Sequence, residues 1–231
     1  MASSNTRPAD VLDARGARQR AVADVKRTHV LTAARAAFFE LGLDGASMRE
    51  IAKRAGYTPG AIYSYFASKE DIYGALLGES LERLNAFVAE AMPVRARGTA
   101  TAEALRAAAT AFFDFFRENP RDLDLGFYLF QGMRPRGLTP ALNERLNARL
   151  RDALAPTANA LLALGWGAAD AQAETTALFA HAVGLLVLSH TGRIRMFRQQ
   201  SQALFEHYLV ALLARAPRAA GQRPRPRKAA A

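Results

Sequence analysis

Between Ser47 and Lys69 the chain reads SMREIAKRAGYTPGAIYSYFASK, and this stretch constrains the fold more than any other. Ser47 and Glu50 have the S-x-x-E spacing of a capping box, so a helix opens there with Met48, Ile51, Ala52 and Ala55 on one face. Gly56 stands where a left-handed residue would turn the chain, a conformation that costs glycine no Cβ clash. Thr58 can cap and Pro59 is pre-set for a first helical position, so a second helix starts directly after the break. Its inward side is Ala61, Ile62 and Phe66. The small Ala52 lets the two helices touch, Gly56 keeps the turn tight, and Ile62 locks the second helix on the first. These are the requirements of a helix-turn-helix.

The remaining composition fits an all-helical chain. It has 231 residues, half of them hydrophobic, enough for one large or two small cores, and alanine, leucine and arginine outweigh β-branched residues. There is no cysteine, which excludes disulfides and thiolate metal sites and suits a reducing cytoplasm. The first residues lack an apolar signal core, and polar side chains interrupt every apolar run, so a cytoplasmic protein without a membrane span is expected. His29, His181, His190 and His207 have no i,i+4 histidine partner. Glycine-rich phosphate loops and G-x-S-x-G elbows are missing too, so neither an enzyme, a metal site nor a cofactor is expected.

The formal net charge of +10 is uninformative until it is located. Residues 215–231 hold six basic and no acidic residues, whereas residues 27–80 hold six of each. Positive charge near the helix-turn-helix is therefore local, at Arg49, Lys53, Arg54 and Lys69.

Taken in order, residues 1–23 read as a flexible polar arm, interrupted by Pro8 and Gly16, whose Arg15, Arg18 and Arg20 could reach a phosphate backbone. A first helix is expected over 25–41, with Val30, Leu31, Ala34, Phe38 and Leu41 inward and Gly42 as its stop. After the helix-turn-helix, Ser68 caps a long helix to about residue 92. The first domain should cover 24–84 and a second, helical domain 85–215, followed by a disordered basic tail at 216–231. Within the second domain, helices are expected over 101–118, 123–131, 139–164 (kinked at Pro156), 169–190 and 196–214.

Residues 25–77 resemble the N-terminal domain of the TetR family of transcriptional regulators. The resemblance rests on Phe38, the Gly42 stop, Ser47 opening a helix, Ile51-Ala52, Ala55-Gly56, Tyr63-x-x-Phe66 and Ser68-Lys69-Glu70. It implies an all-α chain in which a three-helix DNA-binding domain is joined by a long helix to a ligand-binding and dimerisation domain. It further implies DNA-facing positions at Thr58, Pro59, Gly60, Tyr63, Ser64 and Tyr65, with Arg49 from the preceding helix. Chemically, Arg49 suits bidentate guanine reading, and Ser47 and Lys69 suit phosphate contacts.

The expected partners are double-stranded DNA with a near-palindromic operator, a small hydrophobic effector, and a second copy of the chain. Phe112, Phe113, Phe116, Phe127, Phe130, Met133, Trp166 and His181 are the candidates to line an apolar effector pocket. The late helices hold more apolar residues than one small bundle must hide, so Phe179, Val183, Leu186, Phe205 and Leu209 are the candidate dimer contacts. The function expected is a repressor relieved by its effector; the alternative is a ligand-independent or architectural DNA-binding protein.

Overall fold

The structure, a computed structural model, describes residues 8–93, 100–127 and 138–217. Among the described residues the chain is all-α. Helices α1 (Pro8–Gly45), α2 (Met48–Ala55), α3 (Pro59–Tyr63) and α4 (Lys69–Ala91) are followed by α5 (Ala100–Glu118), α6 (Pro120–Phe127) and α7 (Pro140–Ala163). Then come α8 (Ala168–His190), a 3-10 helix at Arg193–Phe197 and α9 (Ser201–Ala214). Two compact units form, and the division falls inside α4, between Leu77 and Gly78, rather than at residue 84.

In the first unit, Val30, Leu31, Ala34 and Ala37 of α1 meet Ile51 and Ala52 of α2, Ile62 of α3, Phe66, and Ile72, Tyr73 and Leu76 of α4 in one buried core. Gly42 has φ 74°, the break expected there, and the chain turns before Leu43 and Ala46 re-enter the core. That turn carries Leu41, expected to be inward, out to solvent at 45% exposure. Phe38 is half-buried and meets the Tyr73 ring edge-on at 6.2 Å.

Residues 8–23 are helical rather than an unstructured arm. Proline is well placed at a helix start, and the alanine- and arginine-rich run behind it tolerates Gly16 at a cost of roughly 1 kcal/mol. Over 16–29 this part of α1 is almost wholly exposed.

The second unit is built on α5, whose Leu105, Ala108, Ala109, Phe112, Phe113, Phe115 and Phe116 are all buried. A helix apolar on most sides must be covered on most sides, and α6, α7, α8 and α9 each pack on it. Pro120, expected only to end α5, opens α6, so that helix lies three residues earlier than its apolar pattern suggested. Pro156 sits inside a continuous α7. The start of the last helix is also corrected. Residues 193–197 form the 3-10 helix, the left-handed Arg198 (φ 53°) ends it, and α9 begins only at Ser201. Met196 and Phe197 consequently point outward, 77% and 64% exposed.

By length and composition alone α8 is apolar enough to cross a membrane, as the core helix of a bundle also is. Its Leu178, Ala182, Leu185 and Leu186 are buried, and it packs on α5, α7 and α9.

Candidate DNA-binding surface

The helix-turn-helix is assembled by the side chains its sequence advertises. Ser47 caps α2, its hydroxyl accepting a hydrogen bond from the Glu50 N–H at 3.2 Å. The reciprocal half of the capping box is replaced, because the Glu50 carboxylate accepts from Arg54 Nε at 2.8 Å. Gly56 is left-handed (φ 71°), and its N–H and that of Tyr57 close α2 onto the carbonyls of Lys53 and Ala52. Thr58 then caps α3, accepting from the Ala61 N–H at 3.3 Å, with Pro59 in the first turn.

Outward, α3 and its flanks present Thr58, Pro59, Gly60, Tyr63 and Ser64, all exposed, with Tyr65 half-buried. Tyr63 is 56% exposed, and the Ser64 hydroxyl donates to the Ala61 carbonyl at 2.7 Å. Gly60 is open: a Cβ there would meet nothing. The surface thus brings together the groove-side positions expected from the sequence, and Ser47 and Arg49 from α2 are exposed as well.

The local basic cluster divides into two kinds. Arg54 is 24% exposed and paired to Glu40 at 2.8 Å and Glu50 at 2.8 Å. Donating hydrogen bonds to the Glu50 and Glu40 carboxylates raises its pKa, and the bond from Arg54 holds the Glu50 carboxyl below its ordinary range. Its charge is therefore balanced inside the unit.

Lys69, expected at a phosphate, is likewise committed internally. Its Nζ donates to the carbonyls of Leu43 at 2.7 Å and Ala46 at 3.2 Å, with that of Asp44 at 3.5 Å. These carbonyls belong to the chain that leaves α1 after Gly42, whose orphan acceptors attract a cation. Lys69 thus ties α4 to the α1–α2 connection, a role the sequence did not announce. Arg49 and Lys53 remain as the exposed cations of α2. Sequence reasoning also missed Arg27, whose guanidinium lies over the Phe66 ring at 5.1 Å. Glu50 and Arg54 were legible as an i,i+4 pair, whereas a lysine held by backbone carbonyls leaves no sequence signal.

In the second unit the aromatic candidates are connected. Phe112 meets Phe116 at 5.3 Å and Phe179 at 5.8 Å, while Phe127 meets Phe116 at 5.6 Å and Phe179 at 5.8 Å. Phe113 lies flat on Phe205 at 4.4 Å, and His181 is stacked on Tyr208 at 4.3 Å. Phe112, Phe113 and Phe116 are buried core; Phe127, Trp166 and His181 are half-buried. Phe130 and Met133 lie outside the described residues.

The same unit grips the second part of α4. Arg83 Nη2 reaches Asp122 Oδ1 on α6 at 2.6 Å, Glu82 pairs with Arg149 of α7 at 2.8 Å, and Asn85 Nδ2 donates to the Arg149 carbonyl at 3.0 Å.

Three of the five expected dimer contacts are spent inside the chain. Leu186, Phe205 and Leu209 are at most 1% exposed, and Phe179 and Val183 are half-buried. Their apolar faces are consumed by packing of α8 and α9 on α5 and on each other. Beside the exposed polar Gln172, Thr176, Gln202 and Glu206, these helices turn outward Ala173, Ala177, Ala180 and Gly184 on α8, and Ala203, His207, Val210 and Ala214 on α9. Each set repeats at i, i+4, i+7, i+11, one stripe per helix.

With this geometry in hand, comparison with known proteins is informative. Residues 30–76 match the family model described as bacterial regulatory proteins, tetR family. The HTH-type transcriptional activator FasR of Mycolicibacterium smegmatis is 36% identical over 45% of this chain and 46% of its own length. The HTH-type transcriptional repressor AcnR of Corynebacterium diphtheriae is 36% identical over 29% of this chain and 35% of its own. The chain therefore spans less than half the length of these curated relatives. The regulator FadR of Bacillus subtilis, solved in complex with stearoyl-CoA, superposes with a TM-score of 0.61 at 20% identity, covering 82% of this chain and 98% of that one. That likeness extends the shared fold beyond the matched N-terminal residues. Over residues 30–76 the chain carries the N-terminal domain of the tetR family of bacterial regulatory proteins.

Proposed function

We propose that this chain is a sequence-specific DNA-binding regulator that acts as a homodimer on a near-palindromic operator, a repressor released by a small apolar ligand held in the second unit. The observation that carries the DNA reading is the outward face of α2 and α3, where Arg49, Tyr63 and the open Gly60 stand together without serving the unit's own core. A helix entering the major groove needs side chains that reach base edges and a backbone that can come close to them. Ser47, Thr58, Pro59, Ser64 and Tyr65 complete that face; the Ser47 and Thr58 hydroxyls accept from backbone N–H groups and keep a proton for a phosphate oxygen, whereas that of Ser64 is given to Ala61.

A single recognition helix reads too few base pairs to select one site in a genome, so a second copy is required. The outward stripes of α8 and α9 are the surface we assign to it. Gly184 supports the assignment, because a helix-interior glycine costs about 1 kcal/mol relative to alanine and a Cβ at this position would meet nothing within the chain. A close-lying second helix gives that glycine a purpose.

Ligand release is supported by α4, which starts in the DNA-binding unit and is held in the second unit by Asp122 of α6 and Arg149 of α7. Phe127, at the end of α6, touches the aromatic cluster, so a ligand that reshapes the cluster would load the Arg83–Asp122 link. The stearoyl-CoA held by the Bacillus subtilis neighbour favours a ligand with a long apolar part.

The test is titration of wild type and Arg49→Ala on operator DNA recovered by selection from random sequence. We expect the variant to lose about 1–3 kcal/mol and to relax preference at one base pair per half-site. Unchanged affinity and selectivity would refute the docking. Binding of all sequences alike by the wild type would favour an architectural protein instead.

A further inference from the structure

The cations around the helix-turn-helix are held in different ways. Arg54 is neutralised by Glu40 and Glu50, and the Lys69 ammonium is given to backbone carbonyls. Arg27 of α1 is held without being neutralised. Its guanidinium lies over the Phe66 ring, 5.1 Å from the centroid, while the residue stays exposed. Among the described residues it makes no ion pair. A phenyl ring attracts a cation through its π face but offers no oxygen, so it leaves the five N–H donors of the guanidinium unsatisfied. It also restrains a long side chain, which lowers the ordering entropy that a further contact would cost.

The place of this cation matters as much as its state. The N–H groups of Tyr65 and Phe66 donate to the Ile62 carbonyl at 2.9 and 3.0 Å, so Phe66 belongs to the turn that closes α3. Arg27 therefore stands at the C-terminal end of α3. On α1 it comes one turn before the buried Val30, Leu31 and Ala34, at the rim of the core rather than inside it. A recognition helix puts its N-terminal residues on the base edges of the major groove, and its C-terminal end then meets the sugar–phosphate wall.

We propose that Arg27 is a backbone clamp: its N–H groups donate to a phosphate oxygen of the DNA strand that passes the C-terminal end of α3. This rests on the reading that α2 and α3 dock on DNA, and it adds to that docking a contact made by α1. The clamp strengthens binding and carries no sequence information.

Two variants test it. Arg27→Met keeps an unbranched stem and a polarisable sulfur against Phe66 and removes the charge. Arg27→Lys keeps the charge and removes the planar fork. Both full-length proteins and the wild type are titrated on the selected operator and on random duplex, across roughly 50 to 200 mM salt. Arg27→Met should bind both duplexes about tenfold more weakly at the lowest salt. Its slope of log K against log salt should be shallower by about 0.9 for each Arg27 removed, and Arg27→Lys should restore that slope. An Arg27 that merely braces α1 against Phe66 would show a lower melting temperature, or weaker binding of the operator alone, with the slope intact. An intact slope in Arg27→Met, a loss confined to the operator, or a slope that Arg27→Lys fails to restore would overturn the clamp. If Arg49→Ala still relaxes base preference in the same titrations, the docking stands and only the clamp falls. A wild type that binds neither duplex removes the docking, and the clamp with it.

Discussion

Lys69 separates a groove contact from an internal tie, and the two roles give opposite results in one variant. In Lys69→Met the apolar stem is kept and the ammonium is lost. Two of its contacts are good hydrogen bonds, to Leu43 O at 2.7 Å and Ala46 O at 3.2 Å, while the third, to Asp44 O at 3.5 Å, is too long to count for much. A hydrogen bond to a charged group contributes about 1.5–3 kcal/mol when buried. Lys69 is half-buried, so water recovers part of the loss, and a total of about 1–3 kcal/mol is expected. For a unit of this size that is roughly a 4–24 °C fall in its melting temperature. Operator titrations in the cold, between 50 and 200 mM salt, give the second reading. A phosphate contact would make the slope of log K against log salt shallower by about 0.9 for each Lys69 removed. We expect the melting temperature to fall and the slope to hold. An unchanged melting temperature with a shallower slope would refute the internal tie and return Lys69 to the DNA.

Three further outcomes are expected. Gly56→Ala places a Cβ in open space but at φ 71°, so it should cost about 1–2 kcal/mol from backbone strain alone, read by denaturant unfolding. Asp122→Asn removes the charge that Arg83 meets at 2.6 Å; with the Asp122 side chain 12% exposed and Arg83 45%, a loss of about 1–2 kcal/mol is expected. A double-mutant cycle with Arg83→Gln should recover most of that as coupling, and no coupling would dissolve the α4–α6 link. Val210→Arg sits on the outward stripe of α9 at 52% exposure, so it should leave the melting of the monomer alone and shift micromolar sedimentation from dimer to monomer. The same charge at Leu209, 1% exposed, would unfold the unit and test nothing about association.

The DNA-binding unit was legible because its constraints are local. A cap three residues from its partner, a glycine at a turn and a proline in a first helical turn all act within a few positions, and Ser47, Gly56, Thr58 and Pro59 do what their spacing implies. The errors arise where a side chain answers to something distant. Lys69 lies over twenty residues from the carbonyls it meets, and no pattern of side chains records a backbone acceptor. Leu41 fits the inward stripe of α1, yet the left-handed Gly42 beside it redirects the chain and Leu43 takes the buried place. The first residues were misread for the opposite reason: proline and glycine were taken as breaks where one opens a helix and the other is merely tolerated.

In the second unit, hydrophobicity shows which residues are buried but not what buries them. Leu186, Phe205 and Leu209 were assigned to a second subunit because they are large and apolar, and those same properties place them against α5. An association surface that must stay soluble before it associates cannot carry such residues in a row. The stripes left outward are alanine, glycine, one valine and one histidine, which sequence reading passes over as inert. Glycine distinguishes them. Gly56 is required by its own φ, whereas Gly184 and Gly60 sit in helices with ordinary backbone and open space where a Cβ would go. Alanine would stabilise the isolated chain at either position. Gly16 on α1 is equally open, so the open space alone decides nothing; at Gly60 and Gly184 it coincides with a face for which a partner is proposed. Under the proposed function that partner is the floor of a DNA groove on α3 and the matching helix of a second copy on α8.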